Sequence, residues 1–284
     1  MSLVTLKEIL KGTRENGYAV GGFNFNSYED AQGIVDGAVR KKAPVILMAS
    51  VGAVKYIGIR LTVYMIKAMA ESVDVPVCLH LDHAEDPDLI KDCVKMGFTS
   101  VMIDASKKSY EENIRETAEI VRFAGKYACS VEGELGRIGG REEQIRVSEK
   151  DAAYTDPNDV PRFVEETGLD ALAIAIGTAH GFYKSEPKLD FERLAAISRI
   201  TKTPLVLHGG TGVPAEDFKK AVLLGMSKIN VGTELKATYA KAVRDALCAY
   251  PNEIDPRKFM RLVKERCSEV VQEKIEIFGS ANRG

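Results

Sequence analysis

Eight short apolar runs recur along the chain, each closing on polar residues or glycine: "AVGGFNF", "PVILMAS", "VPVCLHL", "SVMIDAS", "SVEGEL", "ALAIAIG", "PLVLHGG" and "KINVGT". Their apolarity is nearly continuous rather than alternating, which is the pattern of strands buried on both faces, as in a parallel sheet. The stretches between them carry helix signals. "SYEDAQGIVDGAVRKK" opens with Ser27 and Asp30 in capping-box spacing, and "DPDLIKDCVKMG" ends on a terminating glycine. "ETGLDALAIA" and "LLGMSKINV" repeat the passage from glycine to strand. Eight strand–helix alternations with no proline-rich or low-complexity linker predict an α/β fold, a (β/α)₈ TIM barrel formed as one domain over residues 1–284. A doubly wound open sheet is the alternative, because alternation alone does not prove closure. Thr5 and Glu8 form another capping box in "TLKEILKGTRENG", predicting a short helix that closes the barrel's bottom. At the other end, "RKFMRLVKERCSEVVQEKIEIFG" reads as a long helical extension.

Composition narrows the function. The 284 residues are 45% hydrophobic and 28% charged with a formal net charge of −2, so no basic surface calls for nucleic acid or an anionic membrane. A small soluble ligand is the better expectation. Five cysteines form no CxxC pair and cannot all be paired within one chain, which predicts free buried thiols. With no signal-like or membrane-spanning run, the expected location is cytoplasmic.

In such barrels the site is built at the C-terminal ends of the strands. Asn24 and Ser50 end the first two runs, Asp82 and His83 the third, Asp104 the fourth and Glu134 the fifth. "GTAHGFYK" then delivers His180, "HGGTG" His208, and "NVGTE" Asn230 and Thr233. Any one of these histidines could simply be a hydrogen-bonded imidazole. Three of the chain's four on one rim instead suggest a zinc-type site with an open position. His80, two residues before Asp82, reads as a core imidazole, or as a group orienting a neighbouring ligand. The glycine turns around Thr211 and Thr233 follow the seventh and eighth strands, where barrels often bind phosphate. "EGELGRIGGREEQ" reads either as a solvated surface loop or as a lid hinged at Gly136, Gly139 and Gly140 that carries Glu142 over a substrate.

Taken in order, "LDHAED", "VEGELGRIGGRE", "IGTAHGFYK", "HGGTG" and "KINVGTELK" resemble the class II, metal-dependent ketose-bisphosphate aldolases, the fructose- and tagatose-bisphosphate branch, over nearly the whole chain. The resemblance implies a Zn²⁺-dependent lyase that cleaves a ketohexose 1,6-bisphosphate to dihydroxyacetone phosphate and glyceraldehyde 3-phosphate. It implies zinc on His83, His180 and His208, with Glu134 near an alternative metal position and Asp104 as a further candidate ligand. Asp82 would be the acid/base at the cleaved bond, and Glu142 would handle the proton on the dihydroxyacetone phosphate half. Gly181, Lys184, Gly209, Gly210, Thr211, Asn230, Val231, Gly232 and Thr233 would surround that half's phosphate, with a monovalent cation (Na⁺ or K⁺) nearby, while Asn24 and Ser50 match substrate contacts. Arg257 in "DPRKFMR" matches an arginine that reaches a neighbouring subunit's site, implying a homodimer or homotetramer.

Two positions depart from the pattern: Thr211 stands where the family often has serine, and Arg141 stands where some fructose-bisphosphate enzymes carry a second glutamate. "NVGTELK" is closer to the tagatose-type subgroup. The chemistry points the same way. Cleaving a ketose between C3 and C4 leaves an enediolate, which a Lewis acid or a lysine Schiff base could stabilise, and no strand-end lysine faces an apolar barrel mouth. A barrel metallohydrolase would commonly begin with HxH on an early strand, which is missing, and a non-catalytic sugar-phosphate binder would not need Asp82, Glu134 and Glu142.

Overall fold

A computed structural model describes residues 3–142, 145–147, 153–183 and 187–284, with the backbone alone at 141–142 and 145–147. Its strands are β1 (Val20–Asn24), β2 (Val45–Ser50), β3 (Val77–Ala84), β4 (Ser100–Ile103), β5 (Ser130–Leu135), β6 (Gly139–Glu142), β7 (Ile145–Val147), β8 (Ala171–Ile174), β9 (Ala179–His180), β10 (Leu205–Leu207) and β11 (Met226–Val231). Eight of them close a barrel in the order β1-β11-β10-β8-β5-β4-β3-β2. Closure is explicit at β1, where Gly22 pairs in parallel with Ile46 on one side and Asn230 on the other. The open-sheet alternative is thereby excluded.

Side chains alternate across each strand, so one set faces the helices and the other fills the barrel. Leu47, Leu79 and Val131 join the large outer core under the helices, whereas Val20, Ile46, Cys78, Ala173 and Val206 form a separate inner cluster. The helix Leu6–Ile9 plugs that inner cluster from below with Leu6 and Ile9. Its predicted capping box is present: the Thr5 hydroxyl accepts the Glu8 N–H, and the Glu8 carboxylate accepts the Thr5 N–H at 2.8 Å.

Ser27 and Asp30 cap the helix Tyr28–Lys41 in the same way, and Gly97 ends the helix Pro87–Met96 in the left-handed conformation. The C-terminal extension is the helix Pro256–Phe278, terminated by Gly279 and packed along Tyr28–Lys41. Outside the barrel, β7, β6 and β9 form a small sheet over the C-terminal rim.

Candidate active site

Asp82 and His83 are neighbours, and on a regular strand they would face opposite sides of the wall. The chain resolves this with an irregularity. The β3–β4 register shifts between Leu81 and Ala84, and His83 adopts a left-handed backbone with φ 46°. Both side chains consequently meet the rim's polar groups. Asp82 Oδ2 accepts a hydrogen bond from Asn24 Nδ2 at 2.8 Å, and His83 Nδ1 lies 3.3 Å from Asp104 Oδ2.

The ligand nitrogens of His83, His180 and His208 lie within 4.8 Å of one another, and the three rings stand nearly perpendicular. His208 Nε2 is 2.7 Å from Glu132 Oε1, while its Nδ1 is 2.6 Å from His83 Nε2. A carboxylate accepts, so His208 donates from Nε2 to Glu132 and His83 donates from Nδ1 to Asp104. The two facing nitrogens then aim lone pairs at one point, which needs a proton or a metal ion. A third imidazole beside it, and carboxylates fixing two of the remote nitrogens, make a donor set suited to zinc. His83, Asp104 and Glu134 form a second candidate group within 4.8 Å, and Glu134 Oε2 is buried without a hydrogen-bond partner among the described residues.

Electrostatics separate these groups. Burial opposes charge on His83, but Asp82 and Asp104 outweigh it and raise its pKa to about 10. Burial and the neighbouring His83 charge push His208 down to about 4, so without a metal the proton between the two rings sits on His83 and His208 stays neutral; a metal ion at that point would displace this proton. For Glu134, burial and the charge of Asp104 raise the pKa to about 8. Asp82 is held well below the ordinary carboxylate range: burial opposes this, and the charges of His83 and the buried Lys228 prevail.

A narrow polar cleft beside the histidines is lined by Asn24, Asp82, His180, Gly181, Gly209, Gly210, Thr211, Asn230, Gly232 and Thr233. The turn after β10 meets the N-terminus of the helix Thr233–Ala249 here, where the Thr211 hydroxyl accepts the Glu234 N–H at 3.1 Å. Gly232 at the helix start has no side chain to cap it, so the positive end beyond the amide taken by Thr211 and the glycine turn together favour an anion.

A family model described as "Fructose-bisphosphate aldolase class-II" matches residues 4–283. The chain belongs to this family. It is a lyase, 46% identical over 286 residues to the "Probable fructose-bisphosphate aldolase" of Bacillus subtilis (strain 168), with both chains covered completely. The fructose-bisphosphate aldolase of Thermus caldophilus is 43% identical, covering 99% of each chain. Among solved structures, the YdjI aldolase from Escherichia coli K12 superposes with a TM-score of 0.87 at 35% identity over 99% of both chains.

Not every expected residue of this aldolase lines the cleft. Val231 ends β11 with its side chain in the outer core. Ser50 sits at the rim in register with Asp82, and its hydroxyl caps the helix Val51–Ile57 by accepting the Ala53 N–H. Arg257 is 88% exposed at the start of the C-terminal helix, paired with Asp255, and is not among the residues lining the site of its own chain. Lys184 and the side chain of Glu142 lie outside the described residues. The backbone of β6 does place residue 142 in a hairpin whose root pairs Gly140 with His180. Gly136 and Gly140 are close-packed: a Cβ on Gly140 would overlap the His180 backbone, and one on Gly136 would lie 2.8 Å from Ala153 O. Tight contact and a left-handed backbone both call for glycine at those two positions.

Sequence reading missed Glu132 and Lys228. Lys228 lies inside the barrel below the histidines, fully buried, with its ammonium 2.8 Å from Glu132 Oε2. The expectation that no lysine faces an apolar mouth is refined accordingly: one enters the interior, but as the partner of a carboxylate. His80 completes this layer. Its Nδ1 is 2.7 Å from Ser100 Oγ and its Nε2 is 3.7 Å from Glu132. Burial and the Lys228 charge lower its pKa to about 3, leaving a neutral imidazole. An inward-facing glutamate two residues before Glu134 was the available signal, since residues i and i+2 share a strand face.

Proposed function

We propose that the site carries out reversible cleavage of a ketohexose 1,6-bisphosphate, fructose or tagatose, to dihydroxyacetone phosphate and glyceraldehyde 3-phosphate. The reading rests above all on one observation: His83 and His208 aim nitrogens at a common point beside His180 and next to an anion cradle. His83, His180 and His208 would hold zinc, with Asp104 and Glu134 framing an alternative position. When bound, zinc supplies Lewis-acid stabilisation of the negative charge that develops at the substrate's carbonyl oxygen.

The protein's own groups do the rest. Asp82, held ionised and oriented by Asn24, takes the proton from the C4 hydroxyl as the C3–C4 bond breaks. The electron pair of that bond becomes the enediolate of the departing half, and Glu142 returns a proton to its carbon. Gly181, Gly209, Gly210, Thr211, Asn230, Gly232 and Thr233 would hold the phosphate of that half, with Lys184 and a monovalent cation nearby. Ser50 would contact the sugar chain, and Val231 supports the cradle from behind. Arg257, remote from its own chain's site, would complete a second subunit's site, as in a homodimer or homotetramer.

Residues 1–284 would act as one domain, a reading supported by the closed barrel and the C-terminal helix packed on it. Free cysteines, four of them buried, favour a reducing cytoplasm, and no helix among the described residues is long and apolar enough to cross a membrane.

Chelation should abolish cleavage of both sugar bisphosphates and zinc should restore it, while borohydride with substrate should trap no covalent adduct. Full activity in a metal-free preparation would overturn the reading. Rates on the two epimers, compared side by side, identify the preferred substrate.

A further inference from the structure

Tyr183 joins two backbone segments that the chemistry uses separately. Its hydroxyl accepts the Ala179 N–H at 2.7 Å and donates to the Gly209 carbonyl at 2.8 Å. Ala179 immediately precedes His180, and Gly209 immediately follows His208 and opens the cradle turn. The segments also touch directly: Gly209 has φ +67°, and a Cβ there would lie 2.5 Å from the Ala179 carbonyl oxygen. The Tyr183 ring packs under the same turn, 3.4 Å from where a Gly212 Cβ would stand. Burial pushes the phenol up to about 12, so its hydroxyl keeps its proton at neutral pH and serves as a fixed donor and acceptor.

We propose that Tyr183 is a positioning residue that couples the metal centre to the phosphate cradle, so that an anion held by the Gly209–Gly212 turn tightens metal binding at the histidines. The inference rests on the site reading above. An anion bound to the turn fixes the Gly209 peptide. Through one hydroxyl this fixes the Ala179 N–H and the strand bearing His180. In a phenylalanine variant both backbone groups lose this partner, and the ordering of one segment no longer assists the other.

The test measures zinc affinity by chelator competition, with and without saturating inorganic phosphate, in the wild type and in Tyr183→Phe. Wild-type affinity should rise at least about fivefold with phosphate, and phosphate affinity should rise by the same factor with zinc, because coupling is reciprocal. In Tyr183→Phe the factor should fall below about twofold while both ligands still bind. Coupling of undiminished size in the variant would mean that phosphate acts directly on the metal, and would overturn the proposal. So would zinc and phosphate binding the wild type independently.

Hydrogen exchange in the wild type gives a second measure that needs no variant: phosphate should slow exchange of the Ala179 amide, and unchanged protection contradicts the coupling. Failure of the site reading looks different. Wild-type protein that binds no phosphate, or His208→Ala protein that binds zinc as tightly as wild type, would remove the site reading and this proposal with it.

Discussion

The left-handed backbone of His83 at the strand end lets adjacent residues take the two roles proposed for them, Asp82 at the C4 hydroxyl and His83 at the metal. With Asp82 at the C4 hydroxyl and Glu142 at the enediolate carbon, the two half-reactions should separate by mutation. Asp82→Ala should lose carbon–carbon cleavage by about 10²–10⁴-fold, more than it loses hydrogen exchange on dihydroxyacetone phosphate, whereas Glu142→Ala should impair both. Equal loss of both activities in Asp82→Ala, with zinc content intact, would assign the bond-breaking step to another carboxylate. Beneath them, Glu132 is shared between His208 and Lys228. Glu132→Gln should weaken zinc binding by about 10–100-fold, as expected when the acceptor that orients a ligating imidazole is changed. Lys228→Met leaves a buried carboxylate without its cation and should cost about 3–5 kcal/mol in denaturant unfolding. A variant as stable as wild type would show that water or His80 can replace the ammonium.

At the scale of elements, the informative contact is between β6 and β9. Gly140 pairs with His180 and has φ +104°, a conformation that side chains rarely adopt. The hairpin bearing residue 142 is therefore anchored on the backbone of a candidate metal ligand. Gly140→Ala should destabilise the local fold by about 1–3 kcal/mol and weaken zinc binding with it, since the His180 peptide must shift to admit the Cβ. Zinc titration of the folded variant checks this, and unaltered affinity would mean that His180 is placed independently of the hairpin. The caps that start the helices act more locally. Ser27 with Asp30, and Thr5 with Glu8, satisfy N–H groups at helix starts and owe nothing to the rest of the barrel.

For the whole molecule, the open question at the surface is Arg257, exposed and turned to Asp255. If a second copy of the chain receives it, Arg257→Ala should raise KM for the bisphosphate while sparing proton exchange on dihydroxyacetone phosphate alone. Sedimentation of the active enzyme should then show at least a dimer. A fully active monomer would exclude this role.

Much of the architecture was legible in sequence because strands buried on both faces read as unbroken apolar runs, and capping residues signal helix starts within four positions. The strand ends that carry Asn24, Asp82, Asp104, Glu134, His180, His208 and Asn230 could be read in the same way, as polar residues where apolarity stops. What sequence left undecided depends on which face of a strand points inward and on what stands across the barrel. Glu132 and Lys228 each share a strand face with a rim residue two positions on, but 96 residues apart they gave no sign that they pair. The same holds for the local break that turns His83 beside Asp82, for the contact of Gly140 with His180, and for the hydroxyl of Tyr183 between two turns. The alternation of elements and the polar character of their ends came from the chain itself, through local hydrogen bonding and burial. Closure of the barrel, the common point of the imidazoles and the ion pair beneath them came only from tertiary packing, because each requires segments distant in sequence to meet within a few ångströms.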